Sequence, residues 1–313
     1  MRGWWQDLTD LVLPAECGGC GRPRTVLCPG CRAVLSGDTP GRVRPAPEPA
    51  GLPVVHAAAR YEDGVRALLL AHKERGALSL ARPLGTALAG AVRAGLHRVL
   101  PGALGPSASG GGSGVPVLLV PVPSGRRAVR ARGHDPARRI ALAAAAELRR
   151  SGTRARVLSV LRQSRPVADQ SGLGSRQRQE NLAGALAVAR GGAGLLRGGA
   201  VVLVDDVMTT GASLAEAARA VREARTGAEP GTEPEVTAAG AGATADGGYR
   251  DVMTAVYARV IRERSGEQMA GVTEGSPGGR GAVRGMAVPN TAGDVVCAAV
   301  VAAPPDSFEI NRN

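Results

Sequence analysis

The stretch Val201-Val202-Leu203-Val204-Asp205-Asp206-Val207-Met208-Thr209-Thr210-Gly211-Ala212-Ser213-Leu214 constrains the fold more than any other part of the chain. Four consecutive apolar residues predict a strand buried on both faces, as in a parallel sheet covered by helices, because a half-exposed strand would alternate. Two carboxylates end that strand. A loop of small and hydroxyl-bearing residues then enters a helical pattern beginning near Ser213 and Leu214. In open α/β sheets ligands bind beyond the carboxyl ends of the strands, so one stretch predicts an architecture and a site together.

Each residue type in the loop limits what the site can hold. The backbone N–H groups of Thr209, Thr210, Gly211, Ala212 and Ser213 lead into a helix and lack intrahelical acceptors, which suits a phosphate. Gly211 permits close backbone approach, and the hydroxyls of Thr209, Thr210 and Ser213 add donors. Asp205 and Asp206 repel a phosphate and suit a sugar diol or a magnesium ion instead. A Walker-type loop is excluded, because it needs Gly-Lys-Ser/Thr and the chain's only lysine, Lys73, is distant in sequence. The combination describes a site for a sugar phosphate.

A second constellation lies near the start. Cys17 and Cys20, then Cys28 and Cys31, form two C-x-x-C pairs separated by seven residues, spacing that places four thiolates around one structural zinc ion. A redox dithiol and paired disulfides are the competing readings. Met1–Pro14 has an apolar patch broken by Asp7 and Asp10, unlike a secretory segment, and no apolar run approaches the roughly 18 residues of a membrane span. A cytoplasmic location is therefore expected, and reducing conditions there favour metal over disulfide. Cys297, inside an apolar run, reads as a small core residue.

Net charge is +12, from 39 basic and 27 acidic residues, which is compatible with a nucleic-acid partner. Nearly every basic residue is arginine in an Ala- and Gly-rich chain, the mark of coding bias, and aromatic residues are only 2% of the whole. A single-strand groove built on stacking is disfavoured.

Along the chain, residues 36–53 read as a Pro/Gly/Arg linker. Val65, Leu68, Leu69 and His72 mark a helix stopped at Gly76, with His72 a packed residue of its apolar face. Leu80, Leu84, Leu88 and Val92 mark another helix reaching about Leu100, before a Gly/Ser-rich loop at 102–114. Val117–Val120 predicts a second buried strand, ended by Pro121-Val122-Pro123. The arginines of the 126–132 run are either a solvated loop or an anion clamp. Asp135 and Pro136 open a further helix. A short strand at 157–161, a long mobile polar loop at 162–181, a strand edge at 186–188 and a turn at 191–199 precede the opening stretch. Leu214, Ala217, Ala218 and Val221 then form a helical stripe. Residues 226–294 read as a largely loose insertion, with a helix at 249–264, before a last strand at 295–301.

The Asp205–Ser213 loop resembles the signature of type I phosphoribosyltransferases. With the cysteine pairs, the Tyr61–Gly76 segment, Pro121-Val122-Pro123, Arg130-Ala131-Arg132-Gly133, Gln170 and Arg178-Gln179-Glu180-Asn181, the whole order resembles the ComF family of competence-associated proteins. That resemblance implies a type I phosphoribosyltransferase-like α/β fold: a mostly parallel central sheet flanked by helices, preceded by a zinc ribbon. It divides the chain into residues 1–52, zinc ribbon and linker, and 53–313, the phosphoribosyltransferase-like domain. It implies binding of phosphoribosyl pyrophosphate with magnesium and transfer of phosphoribosyl, a glycosyltransferase reaction, to an unknown acceptor. Asp205 and Asp206 would hold the ribose diol, Thr209 to Ser213 the 5′-phosphate, and Pro121, Val122, Pro123, Arg126 and Arg132 the pyrophosphate. The rival expectation is a non-enzymatic factor in DNA uptake, contacting single-stranded DNA or a DNA-processing protein. The chain departs from the family pattern in having one cysteine set, His134-Asp135-Pro136 after Arg-Gly, and the long insertion.

Overall fold

The computed structural model describes residues 16–99, 115–167, 174–227 and 295–309. The opening residues 1–15, the expected loop at 102–114, Gln170, the helix expected at 249–264 and nearly all of the expected insertion lie outside the described residues. Eight strands are described: β1 Gly41–Val43, β2 Val55–Arg60, β3 Val117–Pro121, β4 Ala155–Val157, β5 Leu161–Gln163, β6 Leu186–Val188, β7 Ala200–Val207 and β8 Val295–Ala303. The helices are α1 Pro29–Ser36, α2 Asp63–Lys73, α3 Ala81–Val99, α4 Arg126–Arg132, α5 Pro136–Arg150, α6 Ser175–Leu182, α7 Gly192–Leu196 and α8 Ala212–Thr226.

Six strands form one sheet in the order β1-β2-β8-β7-β3-β4. Only β1 runs antiparallel to its neighbour; the pairs β2–β8, β8–β7, β7–β3 and β3–β4 are parallel. The apolar runs explain why. Leu119, Val202, Val204, Ala299 and Val301 pack with α2, α3 and α5 on one face. Leu118, Val120, Val201, Leu203, Ala298 and Val300 pack with Leu214, Ala217, Ala218 and Val221 of α8 on the other. Alternate residues of the same strand thus serve two cores, so no position can be polar until the strand ends.

The adjacent strands β3 and β7 send their chains to opposite faces. β3 leads through α4 into α5, and β7 leads into α8. β3 and β7 are neighbours, so their carboxyl ends diverge around a crevice, the switch point at which open α/β sheets take ligands.

Five expectations at the periphery are corrected. The stretch read as a linker contributes β1, paired to β2 and bridged at Val43 to Phe308, because Val43 has an apolar pocket to fill. The single strand expected at 157–161 is two short strands: β4 joins the main sheet, whereas β5 pairs antiparallel with β6. The polar stretch 162–181 contains β5 and helix α6 rather than one long loop, and the turn at 191–199 contains α7. The arginine run is itself a short helix, α4, with no buried residue to betray it as apolar periodicity.

The cysteine module shares the main core. Cys17, Leu27, Cys28, Cys31 and Leu35 belong to the same buried cluster as Leu68 and Leu80. Its approach is close: a Cβ on Gly18 would lie 2.7 Å from Leu80 Cδ1 and 3.3 Å from the Ala71 methyl.

Candidate functional site

Asp205 and Asp206 stand at the carboxyl end of β7, and their backbone turns the acids on each other. The Asp206 N–H donates to Asp205 Oδ1 at 2.8 Å, and the Val207 N–H donates to Asp206 Oδ1 at 2.9 Å. Burial, then the charge of Asp206, pushes the Asp205 carboxyl well above the usual carboxylate range. An acidic pair arranged this way lacks positive charge.

Part of that charge comes from α2. Lys73 Nζ lies 3.0 Å from Asp206 Oδ2. Burial disfavours the Lys73 ammonium, but Asp206 and Asp205 outweigh it and raise its pKa above the ordinary 10.5. Next to it, Glu74 Oε1 accepts from Arg132 Nη1 of α4 at 3.3 Å. The imidazole of His134 meets the His72 carbonyl through Nε2 at 3.1 Å, and the two rings lie 5.6 Å apart. The carboxyl end of α2 is therefore fastened to both walls of the crevice.

The loop after β7 is closely packed from outside. Gly211 has φ of 74° and caps α8, a conformation that costs an L-residue about 1–2 kcal/mol. A Cβ there would also lie 3.1 Å from Leu52 and 3.3 Å from Pro45. The segment that carries those residues is held in turn by Arg222 of α8, whose Nη2 donates to the Gly51 carbonyl at 3.0 Å. Asp205 and residues 207–214 line a hollow of ≈ 30 Å³. One water takes roughly 10–15 Å³ on this measure, so the hollow is sized for a few oxygen atoms at the loop, not for a whole nucleotide. A larger open groove of ≈ 620 Å³ lies beside α1, with Arg32 its only charged lining residue. It lacks the convergent polar groups of a specific site.

Arg178 approaches the loop from α6, its Nη1 3.3 Å from Thr209 Oγ1. The Nε atoms of Arg132 and Arg178 are buried without a hydrogen-bond partner. Buried donors are rarely left unsatisfied, and these two face the same crevice region from its two walls, one through the Lys73–Glu74 corner and one through the loop. The α6 side is braced by Glu216 of α8, which accepts from the Leu186 N–H at 3.0 Å and from Arg219 at 2.7 Å. Burial opposes the Glu216 charge, yet Arg219 and the backbone donors lower its pKa below the ordinary 4.5.

Of the remaining expected residues, Pro121 and Val122 are buried at the end of β3, where the Val122 N–H donates to the Val204 carbonyl at 2.9 Å. Pro123 follows them, and the Ser124 N–H donates to Asp135 Oδ2 at 3.4 Å. Arg126 is exposed on α4 and takes no part in the network described. The residues that sequence reasoning left out of the site are Lys73, Arg178 and the Pro45–Leu52 cover. Lys73 carried a signal as the single lysine among 39 basic residues, and Arg178 as part of the Arg178-Gln179-Glu180-Asn181 motif.

The four cysteines form a metal-binding constellation. Their sulfurs all lie within 4.8 Å of one another. Ligands at about 2.3 Å from a tetrahedral zinc stand about 3.8 Å apart, and the Cys20–Cys28 separation is 3.6 Å. The Cys28 and Cys31 N–H groups each donate to a sulfur at 3.4 Å, a donor set suited to thiolates. Burial opposes ionisation of Cys17, but the backbone donors outweigh it and bring the thiol down to about 6. Such residues fit zinc or a metal like it.

Fold and site together define a three-layer α/β protein with a crevice at the switch point of its sheet and a four-cysteine module positioned to bind a metal. No helix among the described residues is long and apolar enough to cross a membrane. Neither the protein-family models nor the curated proteins compared with the chain match it.

Proposed function

We propose that the protein binds phosphoribosyl pyrophosphate in the β3/β7 crevice and transfers its phosphoribosyl group to an acceptor, as a type I phosphoribosyltransferase-like member of the ComF family. The observation that carries this reading is the juxtaposition, at a switch point, of an acidic pair, a phosphate-type loop and two orphaned arginine donors. A ligand answering all of them has a diol in the middle and an anion at each end.

Asp205 and Asp206 accept the ribose hydroxyls, and their charge favours the positive character that develops at C1 as the bond to pyrophosphate breaks. The N–H groups and hydroxyls of residues 209–213, with Arg178, hold the 5′-phosphate. The turn after β3 and Arg132 receive the pyrophosphate, which leaves with the bonding electrons while the acceptor's lone pair forms the new bond to C1. The Asp205–Asp206 pair is a donor set suited to a hard cation and would hold magnesium, which when bound would supply charge neutralisation for the pyrophosphate. Zinc in the cysteine module has a structural part only, since four sulfurs leave no open position.

Calorimetry of the full chain with phosphoribosyl pyrophosphate and magnesium tests the proposal. Saturable heat is expected from the wild type and its loss in Asp205→Asn/Asp206→Asn; no heat, or unchanged heat in the variant, sinks it. Arg126, Arg127 and Arg130, exposed along α4, favour a second reading, in which that face contacts single-stranded DNA. A gel shift that weakens steeply with salt supports it, and salt-independent or absent binding removes it.

A further inference from the structure

Composition and geometry meet at Lys73. The chain has 39 basic residues, and the one that is not arginine is the one paired with the acidic pair, Nζ to Asp206 Oδ2 at 3.0 Å. Arginine and lysine differ physically here. A guanidinium is a planar fork that commits to two oxygens at once, whereas an ammonium is a compact charge on a four-carbon stem that exchanges one oxygen for another without reorienting a plane. Its neighbours give Lys73 somewhere to go. Arg132, on the β3 wall, is held through Nη1 by Glu74 while its Nε is left unpartnered, so one donor on that side of Lys73 remains for a further acceptor. The pair is covered on one side only: the Lys73 side chain is 37% exposed and that of Asp206 10%, so the ammonium has open space into which it can swing.

We propose that Lys73 is the counter-ion of the acidic pair in the free protein and moves onto the diphosphate when the sugar diphosphate and its divalent cation enter, releasing Asp206 to the sugar hydroxyls. The inference rests on the sugar-diphosphate reading of the same crevice. In the free state the ammonium offsets one of two carboxylate charges and so competes with a divalent cation for Asp206. In the bound state the cation and the hydroxyls take over that carboxylate. The ammonium then offsets charge on the leaving diphosphate, beside Arg132. A guanidinium at 73 would hold Asp206 through two hydrogen bonds and release it less readily.

Manganese binding to the full chain, without any sugar ligand, reads the first half by electron paramagnetic resonance. Lys73→Gln is expected to bind manganese about tenfold more tightly than wild type, with the gain abolished by adding Asp206→Asn. Calorimetry with phosphoribosyl pyrophosphate and magnesium reads the second half, with Lys73→Gln expected to bind about tenfold more weakly. Lys73→Arg keeps the charge but grips Asp206 more firmly, so it is expected to bind manganese more weakly than wild type does and to lose sugar-diphosphate affinity as well. Equal manganese affinity in wild type and Lys73→Gln overturns the counter-ion assignment even when the sugar diphosphate binds. If the wild type binds no sugar diphosphate while Lys73→Gln still gains manganese affinity, the counter-ion stands and the transfer onto the diphosphate falls. A purely structural Lys73 would lower the melting temperature of both variants and leave the manganese contrast absent.

Discussion

The two walls of the crevice are built differently. On the β7 wall the loop is over-determined: Gly211 is pinned beneath Leu52 and Pro45, Arg222 holds their segment, and Glu216 with Arg219 braces the β5–β6 pair. The β3 wall is held by a few polar contacts around α2 and α4, Lys73 to Asp206, Glu74 to Arg132 and His134 to His72, and α4 buries no residue. The difference assigns unlike duties. A rigid wall suits a group that must be placed the same way in every encounter, and a polar, weakly buried wall suits one that arrives and leaves.

The β3 wall borrows its firmness from the cysteine module, which packs Gly18 and Gly19 on α2 and receives Arg75 at the Gly18 carbonyl. Removing the metal should therefore have the largest effect on the comparison. Structural zinc is worth roughly 10 kcal/mol in small modules. Cys31→Ser, or a strong chelator, is expected to lower the melting temperature by well over ten degrees, with the α2 amides losing hydrogen-exchange protection before those of α8. Uniform loss along the chain would erase the distinction between the walls.

Next in size comes Gly211→Val, which attacks the rigid wall directly. Positive φ and contacts of 3.1–3.3 Å to Leu52 and Pro45 together predict a loss of about 2–4 kcal/mol in chemical denaturation.

Glu216→Ala is expected to cost about 1–3 kcal/mol, chiefly because the Leu186 N–H loses its acceptor. The Arg219 share is discounted for its solvent exposure. Its pH signature has a definite sign. A carboxylate with a lowered folded pKa contributes stability that is present above the unfolded value of 4.5 and lost as pH falls through the folded one, so wild type and variant should converge in acid.

The smallest expected change has the opposite sign. Asp205 has its folded pKa raised above the ordinary 3.8, so it contributes stability that is present below that value and lost as pH rises through the folded pKa. Asp205→Asn should be more stable than wild type at neutral pH, by about 1 kcal/mol, and the advantage should fade as pH falls toward 4. A neutral-pH melt in which Asp205→Asn is less stable would contradict an acidic pair kept at a cost in stability. Two carboxylates on one unit, β7–α8, thus separate by their pH response: Glu216 supports the wall and Asp205 burdens it.

Much of this was legible in sequence because the governing signals are local. The strand at 201–204, the helical stripes through Leu84 and Val221, the Asp135 cap and the stop at Gly76 each depend on residues within one or two turns. The errors fell where local signal is thin. β1, β4 and β5 are three residues each, too short for a period to register, and α4 has no apolar face. Arg178 was visible as part of the Arg178-Gln179-Glu180-Asn181 motif but not as a neighbour of the loop, since its contact with Thr209 spans 31 positions.

By itself the sequence determined the doubly buried strand, the acid pair at its end, the hydroxyl-rich loop that enters a helix and the four-sulfur cluster, because each is a pattern of neighbours whose chemistry is complete within a few residues. Only the tertiary structure decided that β3 and β7 are adjacent and diverge, that Leu52 and Pro45 close over Gly211, and that Lys73 reaches Asp206. These are contacts between segments tens of residues apart or more, selected by how two cores pack against one sheet, and no local period encodes them.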